Sequence, residues 1–165
     1  NKTTCGFIAQ HAWELPSDFY ETPPGALTWK DRFKAALTPM IEAHQINRFV
    51  VSMEQGAPLD AAAAILELRT QYPITLDCII PFEELHVSWP EEERNRYFSI
   101  MEQCDQEYLL QRSFSLDCYL QSMRRLVTQC ELLLALWNGD PSDAGDTVSL
   151  ARKKGLHVTV LDAAK

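Results

Sequence analysis

Three segments hold the side chains whose types and spacing could do chemistry. The first is Met53-Glu-Gln-Gly-Ala-Pro-Leu-Asp60, which runs into an alanine-rich stretch. Gly56 and Ala57 are small enough to let backbone N–H groups approach an anionic group at the positive end of a helix, with Ser52 just ahead of them. Asp60 has two competing readings: an N-cap for its own helix, or an acceptor for a ribose or base. Glu54 is the candidate general acid or base if it is buried beside a sugar, and an ordinary solvated carboxylate if it is not. The second segment is Asn138-Gly-Asp-Pro-Ser-Asp-Ala-Gly-Asp-Thr147. Gly139 and Gly145 bracket a turn, and a phosphate could rest on N–H groups near Gly145 with Thr147 donating a hydroxyl. Asp140, Asp143 and Asp146 repel such a phosphate unless a cation intervenes. The bland alternative is a solvated turn with Asp146 as N-cap. The third segment is Gln10-His11, a polar pair closing an apolar run.

Composition removes several other chemistries. The chain has 165 residues, 15 Lys+Arg and 23 Asp+Glu, for a net charge of -8. Affinity for a phosphate backbone comes from Lys and Arg displacing counterions, so nucleic acid is not an expected partner. No stretch approaches the ~20 apolar residues of a membrane span, and the polar start, Asn1 to Thr4, carries no targeting run. The five cysteines, at 5, 78, 104, 118 and 130, include no CxxC pair, and the four histidines are scattered. No metal site is therefore expected. The thiols read as reduced, small buried groups in a cytoplasmic protein, and Cys5, inside a strand, lacks the surroundings of a nucleophile.

The elements that must position the three segments follow from apolar periodicity and turn residues. Strands are expected at 3–9, 48–52, 74–80, 107–110, 131–137 and 156–161. Helices are expected from Trp29 behind a Thr28 cap, with Pro39 as a kink or break, and at 61–70, 91–103, 116–127 and 147–154, the last stopped by Gly155. Alternating strands and helices imply right-handed crossovers. The expected fold is α/β: one three-layer Rossmann-like domain over residues 1–165, with a mostly parallel central sheet flanked by helices. The apolar runs at 74–80 and 131–137 fit strands buried on both faces. In such sheets ligands bind outside the carboxyl ends of the strands, and all three segments fall there.

The same segments carry a family resemblance. The small-residue loop Met53–Asp60 before an alanine-rich helix resembles that of the SLOG superfamily of Rossmann-like proteins, which includes DprA and the LOG-type phosphoribohydrolases. The closer resemblance is to the DUF1273, or YpsA-like, family. Its Gly-His-Arg-like turn stands here as Gln10-His11-Ala12. Its Pro-Phe strand end with a downstream Trp is Pro81-Phe82 and Trp89. Its Gly-Gly-Thr-like loop is Ala144-Gly-Asp-Thr147. The resemblance implies a site for a nucleotide or nucleotide-derived small molecule built from Gln10, His11, Ser52, Gly56, Ala57, Asp60, Pro81, Asn138, Gly139, Gly145, Asp146 and Thr147. The cofactor is left unknown. An N-glycosidase of the LOG type is the alternative, with Glu54 as its only candidate catalytic group; no complete acid/base constellation is visible, so binding rather than catalysis is expected. A scaffold acting through protein contacts is the third reading. It could be a homodimer through exposed aromatics such as Trp13, Tyr20 or Trp29.

Overall fold

The computed structural model describes residues 3–163; the polar start at Asn1 and Lys2 lies outside them. Among the described residues, six strands form one sheet in the order β4-β3-β2-β1-β5-β6, and every pairing is parallel. The strands are β1 (Thr4–Ala9), β2 (Arg48–Ser52), β3 (Thr75–Ile80), β4 (Gln106–Leu109), β5 (Leu132–Trp137) and β6 (His157–Asp162). The helices are α1 (Trp29–His44), α2 (Ala57–Leu68), α3 (Glu91–Gln103), α4 (Cys118–Val127) and α5 (Asp143–Lys153). The expected Rossmann-like α/β fold is the one observed.

Alternation along each strand divides the core between two faces. Phe7, Phe49, Val51, Leu76 and Leu134 pack with Phe33, Leu37 and Ile65 of α1 and α2. Ile8, Val50, Ile79, Leu133 and Ala135 pack with Met123, Leu126, Val148 and Ala151 of α4 and α5. Gly6 permits the closest approach on the second face. A Cβ there would stand 2.2 Å from Leu126 Cδ2 and 2.8 Å from Cys130 Sγ.

Helix boundaries show what local reading missed. Thr28 caps α1, accepting from the Asp31 N–H at 3.2 Å, and the helix continues through Pro39 without a break. By contrast, α2 starts at Ala57 rather than 61, with Gly56 as N-cap and Pro58 in the first turn. Pro needs no N–H there, so the start is favourable. It places Asp60 inside the helix and corrects its reading as a cap. α5 likewise starts at Asp143, not Thr147, because the Ser142 side chain accepts from the Gly145 N–H at 3.1 Å. Ser142, not Asp146, is the N-cap.

Candidate functional site

The chain moves outward in opposite directions from the centre of the sheet. From β1 it passes to β2 on one side, and from β5 to β6 on the other. Those two neighbours therefore bound the crevice where doubly wound sheets seat their ligands. Gln10 and His11 leave β1 on one wall; Asn138 to Asp143 leave β5 on the other. Gln10 is buried and ties the walls together, its Oε1 accepting from the Asn138 N–H at 3.0 Å.

His11 sits at the bottom of this crevice, 2% exposed. Its Nδ1 lies 2.7 Å from Glu54 Oε2 and its Nε2 lies 2.6 Å from Asp143 Oδ2. One imidazole thus joins the carboxyl ends of three segments, those after β1, β2 and β5. Burial works against charge on His11, but hydrogen bonds and charges from Glu54 and then Asp143 outweigh it and push its pKa up to about 9. At neutral pH the ring is an imidazolium donating from both nitrogens. Burial pushes the Glu54 carboxyl up, against the lowering hydrogen bond from His11. Glu54 is 7% exposed, which corrects its reading as a solvated loop carboxylate. The Glu14 carboxylate accepts from the His11 backbone N–H at 3.0 Å and fixes the turn that aims the ring.

Aromatic rings cover this polar node. Trp13 stacks on His11 with centroids 4.2 Å apart and planes 11° off parallel, while Tyr119 of α4 meets the imidazole edge-on at 5.2 Å. Trp13 itself is 67% exposed, so its outer face looks into water. Nothing in the spacing of the sequence joined His11 to Asp143, Trp13 or Tyr119. The signal available was the rule that loops at the switch point converge, which named the segments and not the partners.

The remaining predicted residues divide between two neighbourhoods. Gly56 sits at φ 93° and ψ -129°, a conformation open to glycine alone, and Ala57 is buried behind it. A Cβ on Gly56 would meet Tyr20 at 3.4 Å and Ala12 at 3.8 Å, so this turn abuts the segment that follows His11. Beyond it opens a 260 Å³ cleft lined by Tyr20, Trp29, Gly56, Asp60 and Arg96, among others. Asp60 is held there by Arg96 of α3 at 2.5 Å, and Arg96 reaches Glu93 at 2.9 Å. Burial pushes the Asp60 carboxyl up, against the Arg96 charge that lowers it.

Several predicted residues are spent on structure. Ser52 is buried, its Oγ 2.6 Å from Ser122 Oγ on α4. Pro81 is buried at the end of β3. Thr147 is fully buried, and its hydroxyl donates to the Asp143 carbonyl at 2.8 Å. The Gly145 N–H is taken by Ser142, and Gly145 packs beneath Trp137. The arrangement expected for a phosphate on Gly145 and Thr147 is therefore not formed. Asn138 Oδ1 accepts from the Asp140 N–H at 2.9 Å, Gly139 turns at φ 94°, and Asp146 is exposed. Among the described residues, no group of three or more His, Cys, Asp or Glu is arranged to hold a metal ion, and no helix is long and apolar enough to cross a membrane.

Known proteins are similar to this chain in sequence. The chain is 26% identical over 141 residues to a UPF0398 protein of Bacillus thuringiensis (strain Al Hakam), an alignment covering 83% of this chain and 76% of that one. It is 32% identical over 88 residues to a UPF0398 protein of Brevibacillus brevis, covering 53% and 46% respectively. A family model described as the YspA SLOG family matches residues 12–151, from the residue after His11 into α5. With the doubly wound sheet and a match over most of its length, the chain belongs to the YpsA family of SLOG proteins.

Proposed function

We propose that the chain is a binding protein for a nucleotide-derived small molecule, held at the crevice between the ends of β1 and β5. The observation that carries this reading is the His11 node: an imidazolium fixed by Glu54 and Asp143, roofed by a Trp13 ring whose outer face is free. Base–aromatic stacking is worth about 1–3 kcal/mol and tolerates any base. The carboxylates nearby favour donors over anions. Ribose hydroxyls and exocyclic amines suit Asp143 and the Asn138 loop, while Asp140, Asp143 and Asp146 turn a phosphate outward. The bound part is thus the nucleoside end of the ligand. Thermal unfolding against a panel of nucleosides, nucleotides, NAD, ADP-ribose and cyclic dinucleotides, with and without Mg²⁺, tests it. A ligand at 100 times its Kd adds about 2.7 kcal/mol, a rise of roughly 5–10 °C for a domain of this size. The shift is expected to disappear in Trp13→Ala, and a flat panel overturns the reading.

The burial of Glu54 supports a second, catalytic reading. A buried carboxylate held 2.7 Å from the His11 imidazolium at the carboxyl ends of the strands is placed to act as a general base toward a water. On this reading the protein cleaves the N-glycosidic bond of a nucleoside monophosphate, and Glu54→Gln abolishes release of free base. No base release from a panel of monophosphates by the wild type removes this reading and leaves the binding one standing.

A further inference from the structure

The segment between β4 and α4 carries exposed apolar side chains outside the His11 node. Phe114 is 55% exposed and Leu116 is 93% exposed. Both lie in the crossing between β4 and α4. That crossing is held by other groups: Gln111 donates to the Ser113 carbonyl at 2.7 Å, Ser115 to Asp117 at 2.9 Å, and the Glu83 N–H to the Arg112 carbonyl at 3.2 Å. The fold gains little from Phe114 or Leu116. The surface is nevertheless continuous. Phe114 meets Phe82 edge-on at 5.4 Å, Phe82 meets Tyr119 at 6.3 Å, and Tyr119 meets Trp13 at 5.8 Å. Leu116 stands two residues beyond Phe114 in the same segment, and exposed apolar side chains grouped beside a polar rim mark an interaction surface.

The rim is acidic. Glu83 and Glu84 follow Phe82, Asp117 follows Leu116, and Glu14 follows Trp13; all four are exposed. Arg112 is the one basic side chain within two residues of Phe114. We propose that this strip docks a basic, apolar segment of a partner protein. Its leucine or aromatic side chains would cover Phe114 and Leu116, and its Lys or Arg side chains would reach Glu83, Glu84 and Asp117. Charge selects this occupant. A second copy would bring the same acidic rim against itself in a chain of net charge -8, and a nucleic acid would be repelled for the same reason. Phe114 and Leu116 take no part in the His11 node, so the two anchors do not depend on the small-molecule reading, which uses only the Trp13 end of the strip.

The test uses the full chain and two fluorescein-labelled amphipathic peptides, one with lysines between its leucines and one with glutamates in their place. Anisotropy is expected to show binding of the lysine peptide only. That binding should weaken about tenfold or more in the double variant Phe114→Ser/Leu116→Ser, since the two lost apolar anchors together contribute at least about one tenfold step. Both positions are exposed, and an unchanged circular dichroism spectrum verifies that the variant is folded. Asp143→Asn, which alters the His11 node and leaves Phe114 and Leu116 in place, should leave peptide binding intact. Three results overturn the proposal: no binding of the lysine peptide, equal affinity of wild type and double variant, which would mean bulk charge attraction, or a wild-type dimer in sedimentation that the double variant converts to monomer, which would make a second copy the occupant.

Discussion

His11 Nε2 and Asp143 Oδ2 stand 2.6 Å apart across the switch point of the sheet, although 132 residues separate them in the chain. That contact, with its counterpart at Glu54, makes His11 a structural joint as well as a site residue. Replacing it by Gln removes the cation and leaves the Glu54 carboxyl buried without its partner. Breaking a buried pair from one side costs about 3–5 kcal/mol. Urea unfolding of His11→Gln is expected to show a loss of that order. A loss under 1 kcal/mol would mean that water already screens the node.

The same joint sets a pH window. The folded pKa of His11 is raised to about 9 from 6.5. A raised pKa contributes stability that is fully present below 6.5 and lost as pH rises through about 9. Unfolding free energy measured between pH 6 and 9.5 should therefore fall with a slope of about one proton, and the fall should be absent in His11→Gln. A parallel decline in both proteins would assign the effect to other groups.

Gly6 is where α4 comes down on β1. Alanine there places its Cβ against Leu126 and Cys130 at distances that side chains do not tolerate. Overpacking of this kind costs about 1–3 kcal/mol. Gly6→Ala should lower Tm, and Leu126→Ala in the same chain should cost less in the Gly6→Ala background than in wild type. Additive losses would show that the neighbouring backbone had moved instead.

Arg48 and Asp77 form a pair within the sheet, 2.7 Å apart, with Asp77 3% exposed. Arg48 also reaches Gln129 at 2.9 Å. Arg48→Met leaves a buried carboxylate unpaired, and the expected loss is about 3 kcal/mol or more. Asp77→Asn in the Arg48→Met background should recover part of it. The coupling is read from a double-mutant cycle.

How much of this was legible from the sequence depended on the range of the interaction. β5 is a run of Leu, Leu, Leu, Ala, Leu and Trp because both its faces are covered, and such a run declares itself locally. The Thr28 cap was also readable, since cap and receiver lie three residues apart. The cap reading of Asp60 fails because α2 starts at Ala57, and its actual partner, Arg96, is 36 residues away on another helix. For Glu54 the habit of its type favours exposure, while its burial goes with the contact to His11, 43 residues away. The start of α5 was misplaced by four residues for a local reason. Ser142, Asp143 and Asp146 are all good caps, and only the backbone distinguishes them. The segments of the site could be named in advance; their mutual contacts could not, because spacing in the chain carries no record of which loop ends meet.

The order of strands also governs how the molecule comes into being. β1 is the first strand among the described residues, yet it lies inside the sheet, with Cys5 to Ala9 paired on one side to Leu132 to Leu136 of β5. During synthesis β2, β3 and β4 can assemble on its other side while that edge stays bare, and the wait lasts until more than a hundred further residues have been added. A bare parallel edge with Phe7 and Ile8 beside it invites association with other nascent chains. Chains halted after β4 should therefore be the aggregating species, and the arrival of β5 is the step that closes the sheet and brings Asp143 to His11 at the same moment.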